Sequence, residues 1–86
     1  MASVKVYGAD WCAHTRRALE HLDRLGVIYD YVDIDEDRAA ARWVAAQNGG
    51  KEKKPTIDVG GEILSNPATD VLDGVLRAKG VQAGVQ

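Results

Sequence analysis

Within these 86 residues the apolar pattern alternates between a period of two and a period of 3.6, and the order of those periods restricts the fold more than any other feature. Residues 3–7 alternate and end at Gly8, a first strand running into a turn. After Asp10, Trp11 and Cys12, the apolar positions Ala18, Leu19, Leu22 and Leu25 recur at helical spacing until Gly26 supplies a stop, which puts Cys12 at the start of a helix. Residues 27–34 are rich in β-branched and aromatic side chains and predict a second strand. From Asp35 to Asn48 the acids lead, alanines fill the middle and Gly49-Gly50 closes. That is the order of a helix whose dipole is complemented, with Ala40, Trp43, Val44 and Gln47 on one side. A charged loop over residues 51–54 leads to Pro55, and Gly60-Gly61 between two alternating runs predicts a hairpin of residues 56–59 and 62–64. Ser65-Asn66-Pro67 reads as an N-cap followed by Pro at the first helical position. The last helix then runs through Val71, Leu72, Val75 and Leu76 to Gly80, and residues 81–86 carry no pattern and read as a frayed tail.

The element order β-α-β-α-β-β-α has short connections, which favour contact between sequence neighbours. A βαβ unit followed by a helix and a hairpin requires a four-stranded mixed sheet with three helices on its two faces, an α/β chain of the thioredoxin fold. A chain of 9.3 kDa holds one such core, so residues 1–80 form a single domain.

A net charge of −2 leaves no electrostatic footprint for nucleic acid. No apolar run approaches the roughly 20 residues that cross a bilayer, and residues 1–10 lack the pattern of a secretory signal. The single cysteine excludes an intramolecular disulfide, where a small secreted domain would usually have several. A monomer of the reducing cytoplasm is the expectation.

Cys12 is the residue on which chemistry turns. At a helix N-terminus a thiol meets unpaired backbone N–H groups and the positive end of the helix dipole, both of which favour thiolate. The competing reading is a small buried hydrophobe, but a position between a strand end and a helix start points to a reactive thiol. Asp10 is expected to cap the first helix. His21 in its middle reads as solvated surface, and Trp43 and Tyr31 as core or sheet-face residues.

The segment Trp11-Cys12-Ala13-His14-Thr15 follows a strand ending Val6-Tyr7-Gly8, and Pro55-Thr56-Ile57 and Leu64-Ser65-Asn66-Pro67 come later. Together with Val32-Asp33-Ile34, Asp37 to Ala41, and Asn48-Gly49-Gly50, they resemble the glutaredoxin family and its mycoredoxin branch from Val4 to Gly80. The resemblance implies a thiol–disulfide exchange enzyme acting on protein mixed disulfides and regenerated by a low-molecular-weight thiol, mycothiol or glutathione. Matched by position, it makes Cys12 the nucleophile, Trp11 its flanking aromatic and Pro55 a cis proline facing it. Lys54 would present its backbone to the bound thiol or peptide. Asn66, Pro67, Ala68 and Thr69, at the start of the last helix, would receive a carboxylate of the thiol.

Thr15 stands where dithiol relatives have a second cysteine, so only monothiol chemistry remains. Lys54 replaces the usual Val before the proline, and Ala9 stands where many relatives carry a lysine, leaving Lys53, Lys54 and Arg16 to hold a second carboxylate. His14 either stabilises the Cys12 thiolate or is an exposed bystander, and Thr15 either donates its hydroxyl to the sulfur or fills the space of a lost one. The basic run at 51–54 is either a solvated loop or a steering surface for anions. No metal is expected, because Cys12 and His14 alone do not give tetrahedral ligation. Two other readings of the same chain are an iron–sulfur cluster carrier and a thioredoxin-fold interaction module without exchange activity.

Overall fold

A computed structural model describes residues 3–81. The chain forms β1 (Val4–Gly8), α1 (Ala13–Leu25), β2 (Asp30–Asp33), α2 (Arg38–Gln47), β3 (Thr56–Val59), β4 (Glu62–Ser65) and α3 (Thr69–Ala78). The sheet order is β2-β1-β3-β4, with β1 parallel to β2 and antiparallel to β3, and β3 antiparallel to β4. This is the mixed sheet expected from the order of periods. Gly60 and Gly61 both adopt positive φ (56° and 96°), the conformation a two-residue hairpin needs, and Val59 pairs with Glu62 across it.

The alternation along β1 sorts its side chains onto two faces. Val4 and Val6 join Ile57 and Val59 of β3, Leu22 of α1, and Leu72 and Leu76 of α3 in the larger core. On the opposite face, Ile34 packs with Ala41 and Val44 of α2, flanked by Tyr7 and Trp43, whose ring centroids lie 4.8 Å apart. Two helices therefore cover one face and one covers the other. Fully burying an aliphatic side chain such as Leu22 is worth about 1.5–3 kcal/mol, so these faces hold the register.

Several local expectations are overturned. The second strand begins at Asp30 rather than Val27, because the N–H of Val27 donates to the Leu22 carbonyl (3.0 Å) in the helix stop at Gly26. Ile28, next in the connection, is 91% exposed. The second helix begins only after Asp37, whose carboxylate accepts the Ala40 N–H (3.0 Å). The N–H groups of Glu36 and Asp37 are instead used in a turn onto the Asp33 carbonyl. Ser65 is the last residue of β4 and does not cap α3. Asn66 takes a positive φ of 43° and the cap falls on Ala68, so Pro67 precedes the helix.

Asp10 does not cap α1 either: Cys12 is the N-cap, and the Asp10 carboxylate accepts the Tyr31 hydroxyl (2.7 Å). Burial, then the bond to Asp10, pushes the Tyr31 phenol up. His21 is not free surface, since its Nε2 lies 2.7 Å from Asp73 and ties α1 to α3. Val81 is not frayed: its N–H donates to the Leu76 carbonyl and its side chain packs on the core. The remainder of the expected tail, 82–86, lies outside the described residues.

Candidate functional site

The site is built where β1 gives way to α1. Beyond Gly8 and the buried Ala9, the Cys12 N–H donates back to the Ala9 carbonyl (3.0 Å), and the tight turn leaves Cys12 as the N-cap of α1 with extended φ and ψ. No side-chain hydrogen bond caps the helix there, and the sulfur sits at the end of α1 where the first-turn N–H groups lack helical partners. Thr15, one turn on, is fully buried. Its Oγ1 accepts the Ala9 N–H (3.4 Å), and its hydroxyl favours the Cys12 thiolate over the thiol.

This packing depends on Gly8. A Cβ there would lie 2.5 Å from both Cγ2 and Oγ1 of Thr15, so the strand end accepts no larger residue unless Thr15 moves.

Partial burial pushes the Cys12 thiol up. The Thr15 backbone N–H, the Thr15 hydroxyl, the His14 backbone N–H and the Lys54 charge outweigh it and bring the thiol below its ordinary value. The contribution of His14 to this balance is its backbone. Thr15→Val keeps the shape and removes the donor, so the thiol should ionise at higher pH than in the wild type. Iodoacetamide alkylation rate against pH reads this directly, and an unchanged midpoint would mean that the hydroxyl does not act on the sulfur.

At the same end of the sheet as Cys12, where Thr56 pairs with Tyr7, the Lys54–Pro55 peptide bond is cis. The turn around it is held by a network that the sequence did not announce. Asn48 Nδ2 donates to the Val44 carbonyl (2.8 Å) and Thr56 Oγ1 (3.2 Å), and the Thr56 hydroxyl donates to the Lys53 carbonyl (2.8 Å). The Asn66 N–H donates to the Pro55 carbonyl (2.7 Å), tying the start of the α3 approach to the same turn. Thr56 directly after Pro55 is the one sequence signal of it.

A groove of about 320 Å³ runs from the first turns of α1 to the start of α3. His14, Arg17, Pro55, Asn66, Pro67, Ala68 and Thr69 all line it. Arg16 does not: its Nη1 donates to the Asp10 carbonyl (3.0 Å), and Arg17 faces the groove in its place. Trp11 is 66% exposed, its Nε1 donating to Asp35 (2.6 Å) while Lys54 Nζ sits 5.4 Å from its ring centroid. Asp35 and Arg17 are the site-forming residues missed by reading the sequence. Lys53 is exposed and Glu52 pairs with Arg38 (2.8 Å), which anchors the basic loop to the start of α2.

Among the described residues, no three His, Cys, Asp or Glu side chains are grouped to hold a metal, and no helix is long and apolar enough to cross a membrane.

The glutaredoxin family model matches residues 4–64, most of the chain and all of the elements just described up to β4. The chain belongs to the glutaredoxin family. Among its relatives, mycoredoxin 1 of Corynebacterium glutamicum is 40% identical over 57 residues, 66% of this chain and 70% of that one. A glutaredoxin-named protein of Mycobacterium tuberculosis is 37% identical over 70 residues, 80% of this chain and 83% of that one. Among solved structures, a glutaredoxin from Archaeoglobus fulgidus superposes with a TM-score of 0.78 at 28% identity, covering 90% of this chain and 88% of that one. A buckwheat glutaredoxin–glutathione complex superposes at 0.72 and 22% identity, covering 95% and 83%, and supports the fold. As a glutaredoxin with its sole cysteine at the head of α1, the protein is a member of a thiol oxidoreductase family.

Proposed function

We propose that this glutaredoxin is a single-cysteine thiol–disulfide oxidoreductase that reduces protein mixed disulfides, using a low-molecular-weight thiol as reductant. The observation that carries the reading is the sole cysteine as N-cap of α1, with a buried threonine and not a second sulfur one turn away. The Cys12 thiolate attacks the sulfur that the small thiol contributes to the mixed disulfide. The target protein leaves as a thiolate and takes up a proton, and Cys12 holds the small thiol as a mixed disulfide. A second small thiol, as thiolate, then attacks that sulfur; its disulfide departs and Cys12 returns as thiolate. No net oxidation of the enzyme remains after the cycle.

Residues of the groove, and Lys54 at its edge before Pro55, take the binding roles in this proposal. The backbone of Lys54 pairs with the extended substrate beside Pro55, and residues 66–69 receive a carboxylate at the head of α3. Arg17, lining the groove, takes the carboxylate role that the sequence assigned to Arg16. Mycothiol and glutathione are the two candidate thiols: one relative carries the mycoredoxin name, and one structural neighbour is titled a glutathione complex. A monomer acting in the cytoplasm, without nucleic acid, membrane or metal, completes the proposal. The lowered thiol argues against an inactive interaction module.

Turnover of a small mixed disulfide, run in parallel with mycothiol and glutathione and their reductase systems, tests the reading. Activity with one or both thiols that vanishes in Cys12→Ser is expected. Wild-type turnover no faster than the Cys12→Ser control with both thiols would overturn it.

A further inference from the structure

Three groups from separate elements meet at the rim beside Cys12. Asp35, in the turn after β2, is itself held, its N–H donating to the Asp33 carboxylate (2.9 Å). Its own carboxylate accepts the Trp11 indole N–H at 2.6 Å, a short charge-assisted bond spanning 24 residues. Trp11 is largely exposed, and this bond ties its indole to the turn after β2. Over the ring lies Lys54 Nζ, 5.4 Å from the centroid, within cation–π range, with a second hold on the Glu52 carbonyl (3.3 Å). The ammonium so placed is near enough to Cys12 to favour its thiolate.

We propose that Asp35 is a positioning residue for the Cys12 reaction: by fixing the Trp11 indole it holds the Lys54 ammonium over the ring and beside the sulfur, and so selects disulfides that carry an anionic group next to the bond. The inference deepens the exchange reading, on which it rests. A lysine on an exposed loop would otherwise sweep a wide volume, and its field at the sulfur would be diluted by screening. Parked on the ring, it meets every incoming substituent at one place.

The sign of the effect separates positioning from simple charge. Asp35 is an anion near the site, so deleting its charge should by field alone make the site friendlier to anions. Positioning predicts the reverse for Asp35→Ala, which frees the indole and releases Lys54. Asp35→Asn keeps an oxygen to accept the indole N–H while removing the charge.

The test is the ratio of alkylation rates of Cys12 by iodoacetate, an anion, and iodoacetamide, its neutral counterpart, at a pH where the thiol is fully ionised in each variant. Lys54→Met should lower the ratio about threefold, the size of one charge acting at close range through a high-dielectric rim. Asp35→Ala should lower it in the same direction, and Asp35→Asn should leave it at or above the wild-type value. If Asp35→Ala and Asp35→Asn both raise the ratio, or if Lys54→Met leaves it unchanged, the proposal is wrong. The assay needs no thiol cofactor or turnover, so it fails or succeeds separately from the exchange reaction itself.

Discussion

Thr15→Cys should emerge from excess oxidised low-molecular-weight thiol two hydrogens lighter and without an adduct, whereas the wild type should carry one adduct on Cys12. Cys12 and the hydroxyl-bearing Thr15 lie one turn apart at the head of α1, and the Thr15 hydroxyl favours the Cys12 thiolate. A sulfur in place of that hydroxyl falls where a disulfide needs it, with Cα atoms separated by roughly 4.4–6.8 Å. Its thiolate would attack the Cys12 mixed disulfide, expel the small thiol and close an internal bond, so that a step requiring a second cofactor molecule becomes intramolecular. Effective concentrations in such steps exceed any free thiol in solution, which makes the expected change nearly complete. Intact mass spectrometry separates the two products. A variant that keeps the adduct would show that residue 15 does not face residue 12.

Gly8→Ala should be the most damaging small substitution in the site. The new methyl would lie 2.5 Å from two atoms of Thr15, and Thr15 is fully buried. Overpacking of this kind costs about 1–3 kcal/mol, which for a domain this size lowers Tm by about 5–20 °C. Relief of the clash requires Thr15 to shift, and since its N–H and hydroxyl favour the Cys12 thiolate, the thiol should also ionise at higher pH. The cause is checked by a double-mutant cycle with Thr15→Ala, which removes both clashing atoms. Gly8→Ala should cost less stability in that background than in the wild type, while strictly additive losses would place the strain elsewhere.

What the sequence disclosed, and what it did not, divides by range. Gly60-Gly61 names its hairpin because two positive-φ residues suffice to turn two strands, and the Leu22–Leu25 spacing with Gly26 names the first helix and its end. Cys12 could therefore be placed at the head of α1 from neighbours alone. The β-branched and aromatic run at 27–29 misleads because the same helix stop claims the Val27 N–H, a bond that strand propensity does not report. Asn66 and Pro67 read as the start of a helix, but the positive φ at Asn66 turns the chain once more before the cap at Ala68. Asp10, His21 and Arg16 were assigned by local position, yet each is engaged by a partner chosen in three dimensions: Tyr31, Asp73 and the Asp10 carbonyl. The pairing of Asp35 with Trp11 belongs to the same class, since nothing in either residue's neighbourhood announces the other.

The central claim is that one sulfur, Cys12, takes a small thiol off another protein without a second cysteine. Single-turnover transfer tests it most directly: the reduced protein is mixed with one equivalent of a donor protein bearing a glutathione or mycothiol mixed disulfide, quenched in acid and weighed by mass spectrometry. The account predicts that this chain gains the mass of the small thiol on Cys12 while the donor loses it, and that Cys12→Ser gains nothing. Retention of the small thiol on both donors, or a cross-link of the donor protein itself to Cys12 as the main product, would contradict it.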